Sequence, residues 1–505
     1  MKKIEIMDTT LRDGEQTNGV SFTPEEKLAI AKKLILDVKV DRIEIGNALA
    51  SVGEKLAMKK ISNWAKEINI CHKIEILGFV DRERSVDWIK ENGCSVINLL
   101  TKGSLKHCNI QLKKTAEEHF EDIKYTIKYA NEKGLDVNVY LEDWSNGILE
   151  NEKYVLDLTN VLNELNVKRI MLPDTLGIFN PQQIYDNVKL MVNKFPEIHF
   201  DIHVHNDYGL ATANALSGIS AGAKGIHVTV NCLGERAGNA ALDEVCVCLK
   251  DFYDNELSID EKKLKELSKL VETFSGKKIS SSKPISGEDV FTQTAGIHAD
   301  GDKKGNLYIT NLYPDRFGRE RIYALGKMSG KASLEMNLKD MNIELDDDQK
   351  KQVLKKIVEL GDKKEVITKE DLPFIISDIL KNSKERNIKV IDYDINSIKE
   401  KEPIAKIKIK INDIIFEEES IGNGGYNAFM NCIKKLKSNF GFDIPKLADY
   451  TVRIPPGGNT DALVQTIITW KNDVKEFKTI GVDSDQIVAA IKATEKMLNF
   501  MNIEK

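Results

Sequence analysis

The chain has 505 residues, and at roughly 150 residues per domain that implies about three domains rather than one core. Hydrophobic residues make up 41% and charged residues 30%, with only 11 prolines, which excludes collagen-like, low-complexity and wholly disordered chains. The 73 basic and 79 acidic residues are interspersed and leave a formal charge of -6, a balance that favours no nucleic acid partner.

Short runs rich in Ile and Val recur at 4–8, 41–46, 73–79, 94–100, 136–142, 169–174, 199–205 and 225–230. Segments of helical period separate them. The first, 24–38, opens with the capping-box pair Thr23 and Glu26 and places Pro24 at the first helical position. Eight strand-then-helix units predict an α/β fold, a (β/α)8 TIM barrel over 1–280, in preference to an open doubly wound sheet. From 281 the sequence turns to Gly, Lys, Asp and Ser with little helical period until about 327, which reads as a linker. Residues 327–385 read as a small, charged helical region whose charges form a solvated face, so 281–385 is taken as linker and helical subdomains.

The last segment, 386–505, carries a weak internal repeat: 406–436 and 450–498 each give strands, a Gly-containing turn and a helix. Two such β-β-α units imply a separate α+β domain. Without a catalytic cluster of its own, it suits dimerisation or ligand sensing. The seven cysteines, Cys71, Cys94, Cys108, Cys232, Cys246, Cys248 and Cys432, lack paired spacing and read as reduced thiols. No run approaches 18 apolar residues and the N-terminus has no apolar leader segment, so the expected location is cytoplasmic, with no membrane partner.

Residues that carry chemistry gather at or just after the expected strand ends: Arg12, Asp13, Glu142, Asp174, Thr175, His203, His205 and Asn239, at the rim where barrel active sites form. In HVHND, strand period 2 places His203 and His205 on one face. Two imidazoles on one face suit a metal, although a hydrogen-bonded core histidine would leave the same pattern. DTTLRDGEQ adds the carboxylate of Asp13 and a fixed cation, Arg12, for an oxyanion. NCLGERAGN brings glycines for close backbone approach and the amide of Asn239. Glu142 in YLEDWSNG could act as a general base, orient one, or simply pair with a cation.

Together DTTLRDGEQ, HVHND, GERAGN, TAGIHADG and PPGGNTDA…IGVDSDQI resemble the Claisen-condensing synthases of the DRE-TIM metallolyase superfamily, which make 2-isopropylmalate, homocitrate and citramalate. The resemblance spans essentially the whole chain. It implies a divalent metal held by Asp13, His203, His205 and Asn239, for which Mg²⁺ or Mn²⁺ is suited and Zn²⁺ fits nearly as well. It implies acetyl-CoA as co-substrate, Arg12 polarising the keto group, Glu142 in the proton-abstraction network and Thr175 on the keto-acid carboxylate. His298, Asp300 and Tyr308 would join from the linker of a partner subunit, which implies a homodimer.

The keto acid should be selected by Leu77, Leu100 and Tyr140. Where 2-isopropylmalate synthases commonly have a small residue, often Ser, two before the catalytic Glu, this chain has Tyr140. Filling that space costs about 1–3 kcal/mol for a branched substrate, or roughly 10–100-fold. The runs ILGFVD, NLLTKGSL and YLEDWSNG resemble those of pyruvate-specific citramalate synthases, so the expectation is (R)-citramalate synthesis, the first step of threonine-independent isoleucine biosynthesis. The terminal domain would then sense isoleucine through turn residues Gly425, Tyr426, Asn427 and Pro455. Related proteins often carry Asp where this chain has Asn427, which should make inhibition shallow. The rivals are 2-isopropylmalate synthesis from 2-oxoisovalerate, homocitrate synthesis, a retro-aldol lyase, and a catalytically silent amino-acid sensor. The intact set Arg12, Asp13, Glu142, His203 and His205 argues against the last.

Overall fold

Eight parallel strands close into a barrel: β1 Glu5–Asp8, β2 Arg42–Asn47, β3 Ile74–Phe79, β4 Val96–Lys102, β5 Asp136–Glu142, β6 Arg169–Asp174, β7 Phe200–Val204 and β8 Gly225–Val228. Each falls on one of the eight Ile/Val runs, and β8 returns to β1 with Gly225 opposite Glu5. This computed structural model describes residues 2–253, 255–341, 343–362, 367–380, 388–398, 401–453, 464–473 and 476–503. The chain forms two units, Met1–Phe291 with Asn311–Glu320, and Thr292–Thr310 with Arg321–Lys505.

Strand alternation explains the layering. Ile6, Ile43, Ile76, Ile97, Val137, Ile170, Ile202 and Ile226, one from each strand, join a single large core with residues of the surrounding helices. The first of these helices, Pro24–Lys32, starts as expected: the Thr23 hydroxyl accepts from the Glu26 N–H, and the Glu26 carboxylate accepts from the Thr23 N–H.

Residues on the opposite strand faces fill the barrel, and they are far from the branched apolar layers usual in such folds. Near the N-terminal ends, Arg42 donates to Asp201 (2.5 Å) and Glu75 (2.9 Å) and pairs with Glu5 (3.1 Å). Buried charges of this kind persist only when paired and hydrogen-bonded. Further along the strands lies a small apolar cluster, Met7, Leu77, Tyr140 and Met171, with Leu100 against it.

The second unit corrects the expectation of a linker without helix. GIHADGDKKG forms a helix, Gly296–Gly305, despite three glycines and no side-chain cap. Packing outweighs propensity there: Ala299 is fully buried, and a Cβ on Gly296 would lie 2.8 Å from the Gly330 backbone, so this close crossing needs glycine. The helices Lys331–Asp340, Asp347–Asp362 and Leu372–Leu380 follow, as the charged pattern predicts.

The terminal repeat is richer than two strands per unit. Antiparallel β9 Ile388–Asn396, β10 Ile404–Ile411 and β11 Ile414–Ile421 precede the helix Gly425–Lys435. Likewise β12 Lys446–Arg453, β13 Val464–Lys471 and β14 Glu476–Asp483 precede Gln486–Ile503. The extra strand β9 is mostly exposed and interleaves Lys389, Asp392 and Asp394, which blurs its period-2 signal. Ile407, Ile409, Phe429, Trp470, Ala493 and Met497 from both repeats share one core.

Candidate active site

The loop after β1 is shaped by its own backbone. The N–H groups of Arg12, Asp13 and Gly14 all converge on the Thr9 carbonyl at 3.1, 2.8 and 3.1 Å, and the Thr10 hydroxyl accepts from the Val230 N–H at 2.8 Å. This tight turn, tied to the segment after β8, carries Arg12 and Asp13 into the C-terminal mouth of the barrel, the expected rim.

There Asp13 Oδ2 lies 3.1 Å from His203 Nε2 and 3.8 Å from His205 Nε2, and it accepts from Asn239 Nδ2 at 2.8 Å. The two Nε2 atoms are 3.3 Å apart, and all three residues are buried. Burial pushes the imidazoles toward their neutral, lone-pair-bearing forms: His203 is shifted down, and His205 down to about 4. Burial works against ionisation of Asp13, but Arg12 and the histidines hold it well below the usual carboxylate range.

One anion and two neutral imidazoles aimed at a common point are a donor set for a divalent cation. A further observation fits. Asn239 Oδ1 is buried without a partner, and a carbonyl oxygen in the place of Nδ2 would complete the set. Among the described residues this is the one cluster of three or more such side chains able to hold a metal ion.

Arg12 lies over the Tyr140 ring, 5.6 Å from its centroid, and its Nε donates to Glu44. The Tyr140 hydroxyl is within 3.0 Å of His227 Nδ1, 3.3 Å of Arg12 Nη2 and 3.4 Å of Glu44 Oε2, and the ring meets His203 edge-on at 5.8 Å. Leu77 and Leu100 join the same cluster as Tyr140, so the three positions expected to read the keto acid come together next to the Asp13–His203–His205 site.

Glu142, at the end of β5, pairs with Lys102 at the end of β4. The Thr175 hydroxyl accepts from the Asp143 N–H of the neighbouring loop at 2.9 Å. Asp174 is buried and bonded by the N–H groups of Ile178 and Phe179, a structural role, and burial raises its pKa. Arg236, whose guanidinium grips both oxygens of Asp207 at 2.8 and 2.9 Å and the Thr175 carbonyl at 2.9 Å, ties three rim loops together.

His298, Asp300 and Tyr308 belong to the second unit. The His298 and Tyr308 rings are 4.2 Å apart, and Asp300 pairs with Lys304 at 2.6 Å. In the terminal repeat, Gly425, Tyr426 and Asn427 open a helix; the Tyr426 hydroxyl bonds Thr494 at 2.7 Å, and Asn427 Oδ1 accepts from the Asn423 N–H at 3.1 Å. Pro455 lies outside the described residues.

Sequence reasoning missed Glu44, Lys102, Asp201 and His227, together with Met7 and Met171. The available signal was polar residues at alternate positions inside apolar runs, as in DRIEIG, HFDIHVH and GIHV.

The HMGL-like family model matches residues 3–271. The chain belongs to that family. The post-HMGL domain-like model of homocitrate synthase matches 285–365, and the LeuA allosteric (dimerisation) domain matches 366–502. This protein is thus an acetyl-CoA-condensing transferase with a LeuA-type terminal domain. It is 34% identical to the (R)-citramalate synthase of Methanocaldococcus jannaschii over 99% of both chains. It is also 33% identical to the 2-isopropylmalate synthase of the same organism, over 98% of this chain and 94% of that one. A solved HMG-CoA lyase from Brucella melitensis aligns at 17% identity and a TM-score of 0.44, over 55% of this chain and all of the lyase. Among the described residues no helix is long and apolar enough to cross a membrane.

Proposed function

We propose that this chain is an (R)-citramalate synthase, joining acetyl-CoA to pyruvate and releasing CoA by thioester hydrolysis. Near-equal identity to two relatives with different printed substrates does not separate pyruvate from 2-oxoisovalerate, so the reading rests on Tyr140. Its hydroxyl is within bonding distance of His227, Arg12 and Glu44, which holds the ring beside Leu77 and Leu100 and leaves no freedom to swing aside. A methyl group fits a wall so built; an isopropyl group overpacks it.

A bound divalent cation supplies Lewis acidity toward the keto oxygen and carboxylate of the 2-oxo acid. Arg12, held by Glu44, offers N–H donors to the same oxygen as it gains charge. The Glu142 network takes a proton from the acetyl methyl group, and His298, Asp300 and Tyr308 of a second copy complete it. The enolate carbon bonds to C2 of pyruvate, the resulting alkoxide is protonated, and water then displaces the CoA thiolate, which takes up a proton. Thr175 hydrogen-bonds the keto-acid carboxylate.

In this reading the protein works as a cytoplasmic homodimer at the entry to isoleucine synthesis, and isoleucine binds the terminal domain near Gly425, Tyr426 and Asn427. The test is CoA release with Mg²⁺ or Mn²⁺ and each of pyruvate, 2-oxoisovalerate and 2-oxoglutarate. Pyruvate should lead by at least tenfold in kcat/KM; a lead for 2-oxoisovalerate would establish the leucine-pathway activity instead. A rate unchanged by isoleucine would leave the terminal domain a purely structural one.

A further inference from the structure

Two buried groups inside the barrel have no part in the chemistry above: His227 on β8 and Asp201 on β7, 1% and 0% exposed. They stand in series behind His203. His227 Nε2 lies 3.1 Å from Asp201 Oδ2, and His227 Nδ1 lies 3.2 Å from His203 Nδ1. His203 turns its other nitrogen, Nε2, toward Asp13 at 3.1 Å and His205 at 3.3 Å.

The order of protons along this line follows from which groups can donate. Asp201 is paired with Arg42 at 2.5 Å and, as a carboxylate, only accepts. His227 therefore carries its hydrogen on Nε2 and presents a bare Nδ1. Two bare ring nitrogens 3.2 Å apart would repel, so His203 carries its hydrogen on Nδ1. The lone pair of His203 Nε2 is then free on the side of Asp13 and His205. The reverse order suits Asp13, whose carboxylate 3.1 Å away would accept from a hydrogen on His203 Nε2, but it sets a bare His227 nitrogen against the Asp201 carboxylate and leaves no lone pair for a cation. The Tyr140 hydroxyl, 3.0 Å from His227 Nδ1 and 3.4 Å from Glu44 Oε2, has an acceptor in either case and leaves this order unchanged.

We infer that Asp201 and His227 are positioning residues that fix His203 in its Nδ1–H tautomer and so prepare Nε2 to bind a divalent cation. The inference rests on the metal reading of Asp13, His203 and His205: without a cation the Asp13 carboxylate competes for a hydrogen on His203 Nε2, and with one only the Nδ1–H form binds through Nε2. Outer partners of metal-binding histidines are worth about 10–100-fold in metal affinity. Here the support reaches the ligand through a second imidazole, and its carboxylate is anchored by Arg42 near the opposite end of the barrel.

The test uses the full-length chain labelled with ¹⁵N-histidine. Long-range ¹H–¹⁵N spectra of the Mg²⁺-loaded protein at neutral pH, assigned with His203→Gln, should show His203 as the Nδ1–H tautomer and His227 as the Nε2–H tautomer. His227→Phe keeps an aromatic ring against Tyr140 and His203 but removes the acceptor. It should scramble the His203 tautomer and weaken Mn²⁺ binding by calorimetry about 10–100-fold. The inference is overturned if His227 of the Mg²⁺-loaded wild type carries its hydrogen on Nδ1, or if folded His227→Phe binds Mn²⁺ within about threefold of wild type. Should His227→Phe fail to fold, the wild-type spectrum decides alone. A wild-type chain that binds no Mn²⁺ would refute the metal reading itself.

Discussion

Glu44 holds Arg12 from inside the barrel: one carboxylate oxygen accepts from Arg12 Nε, and the other accepts from Asn98 Nδ2 at 2.7 Å. Asn98 Oδ1 in turn accepts from Asn138 Nδ2 at 2.9 Å, so side chains of β2, β4 and β5 act in line to fix one guanidinium. Glu44→Gln removes the charge and leaves the shape. A charge-assisted hydrogen bond is worth about 1.5–3 kcal/mol, which converts to roughly 10–100-fold in rate if Arg12 must be aligned for the developing oxyanion. The expected result is that loss in kcat with KM for acetyl-CoA nearly unchanged. Steady-state kinetics showing wild-type kcat would mean that Asp13 and Tyr140 suffice to hold Arg12.

Asp8 makes stability depend on pH. It is 1% exposed at the end of β1, with Oδ1 accepting from the Thr10 N–H and Oδ2 without a partner, and burial raises its pKa to about 7. Between about pH 4 and 7 the native state keeps a proton that the unfolded chain has released. Stability from this group is therefore complete below the unfolded value and is lost as pH rises through 7. Asp8→Asn keeps the acceptor and cannot ionise. Its melting temperature should move above that of wild type as pH rises from 5 to 8, and parallel melting curves across that range would show that Asp8 stays ionised in the fold.

The strands were legible because their outward positions repeat Ile and Val against the helices, and the cation-binding candidates were legible because HVHND puts two histidines on one face. What no local pattern could supply was closure. Arg12 meets Glu44 and Tyr140, and His203 meets His227, only once eight strands form a ring, so Glu44, His227 and Asp201 passed as ordinary strand polars. The same holds for Lys102, paired with Glu142 across adjacent strands. The helix at Gly296–Gly305 stayed hidden for a different reason: its three glycines, of which Gly296 serves the close approach to Gly330, lower the propensity on which a sequence reading depends.

Lys27 anchors the Arg12 loop from behind. It is fully buried in the helix Pro24–Lys32, and its ammonium donates to the Leu11 carbonyl at 3.0 Å and the Ile45 carbonyl at 3.3 Å while pairing with Glu15 at 2.6 Å and with Glu54. Lys27→Met leaves two carboxylates facing one another without their cation. Breaking a buried pair in this way costs about 3–5 kcal/mol, and denaturant titration should show a loss of that size with an unchanged slope. A loss below about 1 kcal/mol would place the pair among those that solvent already screens.

Tyr140 carries the substrate reading, and its replacement separates size from chemistry. Tyr140→Ser opens volume beside Leu77 and Leu100 but also strips a partner from Arg12 and His227. Pyruvate turnover should therefore fall, while 2-oxoisovalerate, relieved of overpacking, gains relative to it by roughly 10–100-fold in the ratio of kcat/KM values. Tyr140→Phe supplies the control, because it keeps the wall and loses only the hydroxyl. It should slow pyruvate turnover without shifting that ratio. Equal ratios in wild type, Tyr140→Phe and Tyr140→Ser would mean that selection is made elsewhere, with Leu77, Leu100, Met7 and Met171 the remaining members of the same cluster to vary.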